Sequence, residues 1–159
     1  ALKINSFGGN VYVKIPVTNA NGVESYGLIN KLSAAGVKVN VTAITTFEQI
    51  EFSSSALGDY SPSIISIFAG RISDAGINPL NHMIYALNKT KKYKNQQILW
   101  ASTREVYNYI QAKNNGVHII TMARDLINKL GGIGESLSEV SIRTVIEFRR
   151  DATESNFSL

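Results

Sequence analysis

Short apolar runs alternate with amphipathic segments along most of the chain. In the segments between the runs, apolar residues recur at helical spacing, as in Val23, Tyr26, Ile29 and Leu32. The runs have the length of single strands and occupy residues 11–17, 37–44, 64–68, 98–101 and 117–121. A strand and a helix that repeat every ~20 to 35 residues are typical of βαβ units. The pattern therefore predicts an α/β fold with a parallel sheet.

Glycine and proline mark the ends of several predicted helices. Gly36 and Gly116 stand where two helices should stop, and Pro79 stands where one should start. Residues 46–57 predict a helix with a weaker pattern, because the serines at 53–55 interrupt its apolar stripe. The last helix is predicted at Leu137–Glu154. We expect four of its apolar side chains to face inward: Leu137, Val140, Val145 and Phe148.

Composition narrows the class of protein. With 159 residues and 44% hydrophobic content, the chain is predicted to form one domain, 1–159, with a sizeable core. It has no cysteine, which excludes disulfides, thiolate metal sites and cysteine nucleophiles, and its two separated histidines do not make a metal site. We therefore expect no metal and no other cofactor. No apolar stretch reaches the ~18 to 20 residues that span a bilayer, so we expect a cytoplasmic protein without a membrane partner.

The positive charge of the chain is concentrated in one place. The net charge is +4, and four lysines, Lys89, Lys91, Lys92 and Lys94, follow one another at the end of a predicted helix. Because the helix dipole favours cations at that end, a solvated helix terminus explains them better than a nucleic-acid site does. We expect no nucleic-acid partner.

A single lysine interrupts the first apolar run, Val11-Tyr12-Val13-Lys14-Ile15-Pro16-Val17. Strand alternation places Lys14 on the same face as Tyr12 and Pro16. If the strand is buried, desolvation disfavours the ammonium form and leaves a neutral amine, which is a nucleophile. If it is an edge strand, the lysine reaches water along its stem and needs no special role. The run by itself favours the edge strand.

Polar residues lie on the later strands or directly after them, toward the carboxyl ends where parallel α/β folds carry their chemistry. They are Asn40, Thr42, Ser66, Arg71, Ser102 and Arg104. Two arginines and a serine at neighbouring strand ends would bind a phosphate group, although each arginine taken singly is equally compatible with a surface salt bridge. The simplest partner of Arg71 is Asp74. Together with Lys14, this set suits carbonyl chemistry on a phosphorylated sugar.

Four motifs occur in register at successive strand ends. They are Val13-Lys14-Ile15-Pro16-Val17-Thr18, Val39-Asn40-Val41-Thr42, Phe68-Ala69-Gly70-Arg71-Ile72 and Trp100-Ala101-Ser102-Thr103-Arg104-Glu105. In this order and spacing they resemble the strand-end motifs of the transaldolase family, which is related to the fructose-6-phosphate aldolases. The resemblance runs from about Gly8 to Leu159 and implies a (β/α)8 TIM barrel, of which this chain covers strands 4 to 8 and the C-terminal helix. The first three units, roughly 60 to 70 residues of a ~200 to 250-residue barrel, would precede Ala1.

The resemblance also implies a role for each candidate residue. Lys14 matches the lysine that forms a Schiff base with a ketose phosphate, and Thr42 matches a residue that positions the catalytic water. Asn40 matches a contact to a substrate hydroxyl, and Ser66 a polar contact near the imine. The phosphate-binding positions are matched by Arg71, Ser102 and Arg104. The related aldolases carry a tyrosine where this chain has Phe68, so transfer of a three-carbon dihydroxyacetone unit is favoured over simple aldol cleavage.

Two acidic residues of the family, a proton-transferring aspartate and a member of the water site, would lie before Ala1. The chain of 159 residues by itself is therefore expected to be inactive or very slow. The alternatives are an aldolase of the fructose-6-phosphate type and a non-catalytic sugar-phosphate binder. The expected partners are sugar phosphates and further copies of the same chain, joined through the C-terminal helix in the manner of the family.

Four aromatic residues to which the resemblance assigns no role have simpler interpretations. We expect His82 on a helix surface and His118 on a strand, each without a metal partner. Trp100 is interpreted as a packing residue, and Tyr12 as part of an interior packing layer.

Overall fold

Five parallel strands form one sheet in the computed structural model, which describes residues 1–155. The strands are β1 (Val13–Pro16), β2 (Val39–Ile44), β3 (Ser63–Ile67), β4 (Gln96–Trp100) and β5 (Ile119–Ile120). They pair in chain order, β1-β2-β3-β4-β5, and a helix lies between each strand and the next. Consecutive units of a (β/α)8 barrel have this arrangement, so the predicted fold class is confirmed. The predicted domain, 1–159, extends past the described part of the chain, because residues 156–159 lie outside it.

The helices occupy the segments in which apolar residues recur at helical spacing. They are α1 (Leu2–Asn5), α2 (Tyr26–Ala34), α3 (Phe47–Leu57), α4 (Ala69–Asp74), α5 (Leu80–Thr90), α6 (Tyr107–Asn114), α7 (Arg124–Lys129) and α8 (Leu137–Glu154). A 3₁₀ turn follows α7 at Leu130–Gly132. Gly36 and Gly116 adopt φ of 86° and 70° just past α2 and α6, and Pro79 directly precedes α5, so these predicted boundaries are confirmed. None of the described helices is long and apolar enough to cross a membrane.

The two faces of the sheet differ in composition. The main core lies between the sheet and its helices and buries alternate strand residues such as Val13, Val41, Ile65 and Trp100. The opposite face, called the inner face here, has a smaller apolar cluster of Ile64, Leu99 and Ala101, against which Tyr12, Phe68 and Ile119 pack. Both Trp100 and Tyr12 are therefore packing residues, as expected. The inner face also carries the polar candidates of the first three strands.

Helix α3 is more regular than its sequence pattern predicts. It begins with a capping box between Thr46 and Gln49 and runs without a break to Leu57. The serines do not interrupt it, because Ser53 and Ser54 are buried, and the Ser54 hydroxyl donates to Gln96 Oε1 at 2.8 Å. Small side chains here let α3 pack closely against the sheet.

Helix α8 begins and ends where the sequence predicts, after a capping box between Ser136 and Glu139. The expected direction of its apolar residues is wrong: Leu137, Val145 and Phe148 are 84%, 62% and 69% exposed, and only Val140 is half-buried. Ile142 and Ile146 are exposed as well. The pattern identifies an apolar face correctly, but within residues 1–155 no element covers it.

His82 lies in the interior, and its predicted surface position is wrong. It is only 6% exposed and stacks on Phe47, with the two ring centroids 4.1 Å apart. The contact arises because Phe47 opens α3, which packs directly against α5. Burial lowers the pKa of His82 below its usual value of 6.5, although the backbone near Asn78 acts in the opposite direction. His118 precedes β5, and its Nδ1 accepts a hydrogen bond from the Ile98 amide at 3.0 Å.

Substitution of His82 by phenylalanine should reduce the loss of stability in mild acid. The pKa of His82 is lower in the folded than in the unfolded state, so between the two values the unfolded chain binds more protons and stability falls with falling pH. The effect begins below about pH 6.5 and is absent at neutral pH. Urea unfolding at pH 7.5 and pH 5 should show a smaller difference for His82→Phe than for the parent. An equal difference in the two proteins would contradict the assignment.

The lysine cluster lies at the end of α5, as expected. Lys89 donates to Glu51 at 2.9 Å and lies over the ring of Tyr85, while Lys91 donates to Asn88. These are local contacts of a solvated helix end.

Candidate functional site

The register of the sheet brings Lys14 and Asn40 side by side. Lys14 on β1 is the Cα partner of Asn40 on β2, and Asn40 is in turn the partner of Ile64 on β3. Two residues further toward the carboxyl end, Pro16 is opposite Thr42. Because side chains of paired residues point to the same face, Lys14 and Asn40 share the inner face.

Lys14 is exposed, so the amine is not desolvated in the described part of the chain. Strand β1 pairs only with β2, and its other edge has no strand partner within residues 1–155. Within the described residues β1 is thus an edge strand, the alternative that the run by itself favours, although Val13 and Val17 are buried against the helices. The side chain of Lys14 has the freedom to reach a ligand on the inner face.

Ser66 holds the side chain of Asn40 in place. Its hydroxyl donates to Asn40 Oδ1 at 2.6 Å, and Ser66 is only 1% exposed. Since Oδ1 is the acceptor in this bond, the Nδ2 group of Asn40 remains a donor for another partner. The bond thus orients an amide donor beside Lys14.

A β-bulge follows at the carboxyl end of β2. The pairing of β2 with β3 shifts between Val41 and Ile44, and Ala43 inside the bulge has a φ of 62°. Thr42 is 6% exposed, and its hydroxyl has no hydrogen-bond partner among the described residues. Bulges and left-handed non-glycine residues are concentrated near functional sites, where they direct a side chain that regular pairing would place elsewhere.

Helix α4, which follows β3, touches the loop after β4 at Gly70. A Cβ atom placed on Gly70 would lie 1.8 Å from the Ser102 carbonyl oxygen, 2.9 Å from Ser102 Oγ and 2.8 Å from Arg104 Nε. Ser102 itself is left-handed, with a φ of 61°. Only glycine leaves room for this contact. It places Ser102 and Arg104 next to the residue that precedes Arg71.

Asp74 pairs with Arg104 and not, as expected, with Arg71. The carboxylate of Asp74 at the end of α4 forms a salt bridge with Arg104 Nη2, and both side chains are about half exposed. The close contact at Gly70 brings Arg104, from the loop after β4, within reach of Asp74. Distance along the sequence does not predict this pairing. Arg71, exposed within α4, has no ion pair within residues 1–155.

Asn108 is a structural residue of the site that the sequence motifs do not identify. Its Oδ1 accepts hydrogen bonds from the amides of Arg104 at 3.0 Å and Glu105 at 3.3 Å, and its Nδ2 donates to Gln111. Asn108 is buried, so it ties the backbone of the loop to α6. An asparagine in the first turn after a strand-end loop is the available sequence signal, since such residues cap backbone amides.

Two sets of groups result, one on the inner face of the sheet and one at the carboxyl ends of β3 and β4. Lys14, Asn40, Thr42 and Ser66 offer an amine with hydroxyl and amide groups for a carbonyl compound. The groups around Gly70, namely Arg71, Ser102 and Arg104, offer donors for an anion. Within the described residues, histidine and carboxylate side chains form no cluster that would bind a metal.

Known proteins resemble this chain along most of its length. The model of the family described as transaldolase/fructose-6-phosphate aldolase matches residues 1–158. A probable transaldolase 2 of Listeria monocytogenes is 35% identical over 125 residues, which cover 76% of this chain and 52% of the relative. A probable transaldolase of Clostridioides difficile is 30% identical over 135 residues, covering 82% and 57%, and one of Nitrosopumilus maritimus is 27% identical over 130 residues, covering 80% and 55%.

The chain spans about half the length of the curated relatives it matches. The family match extends over almost every residue, including all strand ends described above. This chain is a member of the transaldolase/fructose-6-phosphate aldolase family.

Proposed function

We propose that the protein containing this chain transfers a three-carbon dihydroxyacetone unit between sugar phosphates, with Lys14 as the Schiff-base nucleophile. The observation that carries the proposal is the pairing of Lys14 with Asn40, whose amide is oriented by buried Ser66. An amine nucleophile beside a fixed hydrogen-bond donor is suited to a substrate that presents a carbonyl next to a hydroxyl group.

The reaction proceeds through covalent iminium and enamine intermediates on Lys14. The neutral amine of Lys14 attacks the ketose carbonyl carbon, and loss of water gives an iminium ion. The bond between the third and fourth carbons then breaks: its electrons form the enamine, the proton of the C4 hydroxyl passes to a carboxylate base, and the fourth carbon leaves as an aldehyde. That base is the aspartate which the family resemblance places before Ala1. The enamine carbon attacks an acceptor aldehyde, whose oxygen takes the proton back from this acid, and water hydrolyses the new iminium to release product and lysine. Asn40 would donate to a substrate hydroxyl, and Thr42 would hold the hydrolytic water.

The distal phosphate belongs with the groups around Gly70. Arg71 and Arg104 supply charge, and Ser102 supplies a hydroxyl donor. Arginine is suited to this task because its planar fork of N–H groups matches two phosphate oxygens at once. In this arrangement the anion site fixes one end of the substrate while the amine reacts with the other.

Borohydride trapping tests the proposal. Full-length protein incubated with fructose 6-phosphate and sodium borohydride should gain the mass of a reduced three-carbon adduct, and peptide mapping should place it on Lys14. Absence of an adduct, or an adduct only on another lysine, would overturn the proposal.

A non-catalytic sugar-phosphate binder is the second candidate. It is favoured by one observation, the contact at Gly70, which brings Ser102 and Arg104 next to Arg71 and so provides anion donors whether or not Lys14 reacts. Binding of fructose 6-phosphate without adduct formation would support this function. Cleavage of fructose 6-phosphate without an acceptor aldehyde would instead support an aldolase.

We further propose that copies of the protein associate through the exposed apolar face of α8, which carries Ile142, Val145 and Ile146. Introducing charge on this face should prevent association, because burial of a carboxylate in an apolar contact is unfavourable. Light scattering should show a smaller particle for Ile142→Asp/Ile146→Asp than for the parent. The control is Lys113→Asp, at an exposed position of α6, which should leave the particle mass unchanged. An unchanged mass in the double variant would contradict the proposal.

A further inference from the structure

We propose that Asp74 is a positioning residue for anion binding: it holds the guanidinium group of Arg104 across Gly70 and so sets the preference for phosphorylated substrates. This inference rests on the proposed function and deepens it. The salt bridge between Asp74 and Arg104 Nη2 joins α4 to the loop after β4. It therefore couples the two strand ends that carry the candidate anion ligands.

The position of Arg104 is fixed from three sides. Its backbone amide donates to buried Asn108, its Nε lies against Gly70, and its Nη2 is held by Asp74. Of these contacts, only the one with Asp74 restrains the end of the side chain. Without it, a long arginine side chain that is about half exposed would sample several rotamers.

The contact with Asp74 leaves Arg104 able to bind an anion. A guanidinium group has five N–H donors, and the hydrogen bond to Asp74 uses one of them, at Nη2. The Nε and Nη1 protons remain for phosphate oxygens. Arg71 and Arg104 are balanced in formal charge by Asp74 and by Glu105, which follows Arg104 in the same loop. The attraction for an anion therefore comes from the remaining N–H donors of the two arginines and not from net charge.

The structure argues against a purely stabilising role for this salt bridge. Both side chains are about half exposed, and exposed ion pairs contribute little to folding. Variants of Asp74 should therefore fold normally. The effect of the residue should appear in binding, because an arginine that is already ordered loses less entropy when the anion binds.

The test is equilibrium binding to the full-length protein, measured by calorimetry with fructose 6-phosphate and with inorganic phosphate. Asp74→Asn should weaken both by about tenfold, which is the affinity equivalent of ordering one rotamer-rich side chain. Asp74→Glu should recover part of the loss, and in an Arg104→Met background Asp74→Asn should have no further effect.

Asp59→Asn is the charge-matched control. Asp59 precedes β3 at the opposite end of the sheet, so its loss changes the net charge equally without touching Arg104. Asp74→Asn with unchanged or tighter phosphate binding would overturn the inference, as would a parent protein that binds neither probe. If phosphate binding depends on Asp74 but borohydride traps no adduct, the proposed reaction fails and the inference stands. If trapping succeeds and Asp74→Asn binds normally, only the inference fails.

Discussion

Lys14→Met is expected to abolish borohydride-dependent labelling of the full-length protein and to lower turnover by a factor on the order of 10⁴ or more, as removal of a covalent nucleophile does. Methionine retains most of the length and apolar volume of the lysine stem but has no amine. Because Lys14 is exposed on β1, the substitution should leave folding intact. Mass spectrometry after reduction, together with coupled turnover assays, measures both effects.

Lys38→Met provides a matched control. Lys38 lies directly before β2 at the amino end of the sheet, where its Nζ donates to the Gly9 carbonyl at 2.5 Å and lies 5.8 Å from the centre of the Tyr12 ring. It has the same side chain near the same pair of strands but lies two residues nearer the amino end, away from the groups around Gly70. This variant should label and turn over normally. Labelling that survives in Lys14→Met and disappears in Lys38→Met would reverse the assignment.

Gly70→Ala should disrupt the anion-binding end of the site. The added methyl group would lie 1.8 Å from the Ser102 carbonyl oxygen, so the loop after β4 must move. Overpacking of this kind typically costs about 1–3 kcal/mol of folding free energy. Because the same movement displaces Arg104 and Ser102, we expect a raised KM for phosphorylated substrates in addition to a lower melting temperature. Calorimetric unfolding and steady-state kinetics measure the two effects.

Gly27→Ala is the corresponding control. Gly27 is the second residue of α2, as Gly70 is of α4, and a Cβ atom placed on it meets no atom within 4 Å. Alanine in an open helical position is expected to stabilise the fold by about 0.5–1 kcal/mol. Opposite signs for the two glycine variants would show that the steric contact, and not helix propensity, is responsible. Equal effects would contradict the role given to Gly70.

Local sequence signals predicted the elements well and their burial poorly. Both ends of α8 were predictable because its limits depend on capping and periodicity within the helix itself. Whether Leu137 and Phe148 are buried depends on what packs against the helix, and the periodicity of the helix carries no information about its neighbours. His82 shows the opposite case, since only the packing of α3 against α5 places Phe47 on its ring.

In the candidate site, too, some features follow from local sequence and others depend on how the strands and loops pack together. Strand alternation was sufficient to place Lys14 on one face with Tyr12 and Pro16, because side chains in strands alternate strictly. That Asn40 and Ser66 share this face and bond to each other depends on the register between strands, and the bulge at Ala43 alters that register locally. The partner of Asp74 was unpredictable for a related reason. Arg71 is nearer in sequence, but the contact at Gly70 brings Arg104 from the next loop.

The contact at Gly70 also has a consequence for how the sequence of this site can diverge in evolution. Loops at the carboxyl ends of barrel strands usually vary independently, which allows one fold to host many specificities. Here the first turn of α4, after β3, contacts the backbone of the loop after β4 at Gly70, so a larger residue at position 70 is acceptable only if that loop has moved. The effect of a substitution in either segment thus depends on the residue present in the other. Change in substrate preference at this end of the sheet should proceed by paired, epistatic substitutions.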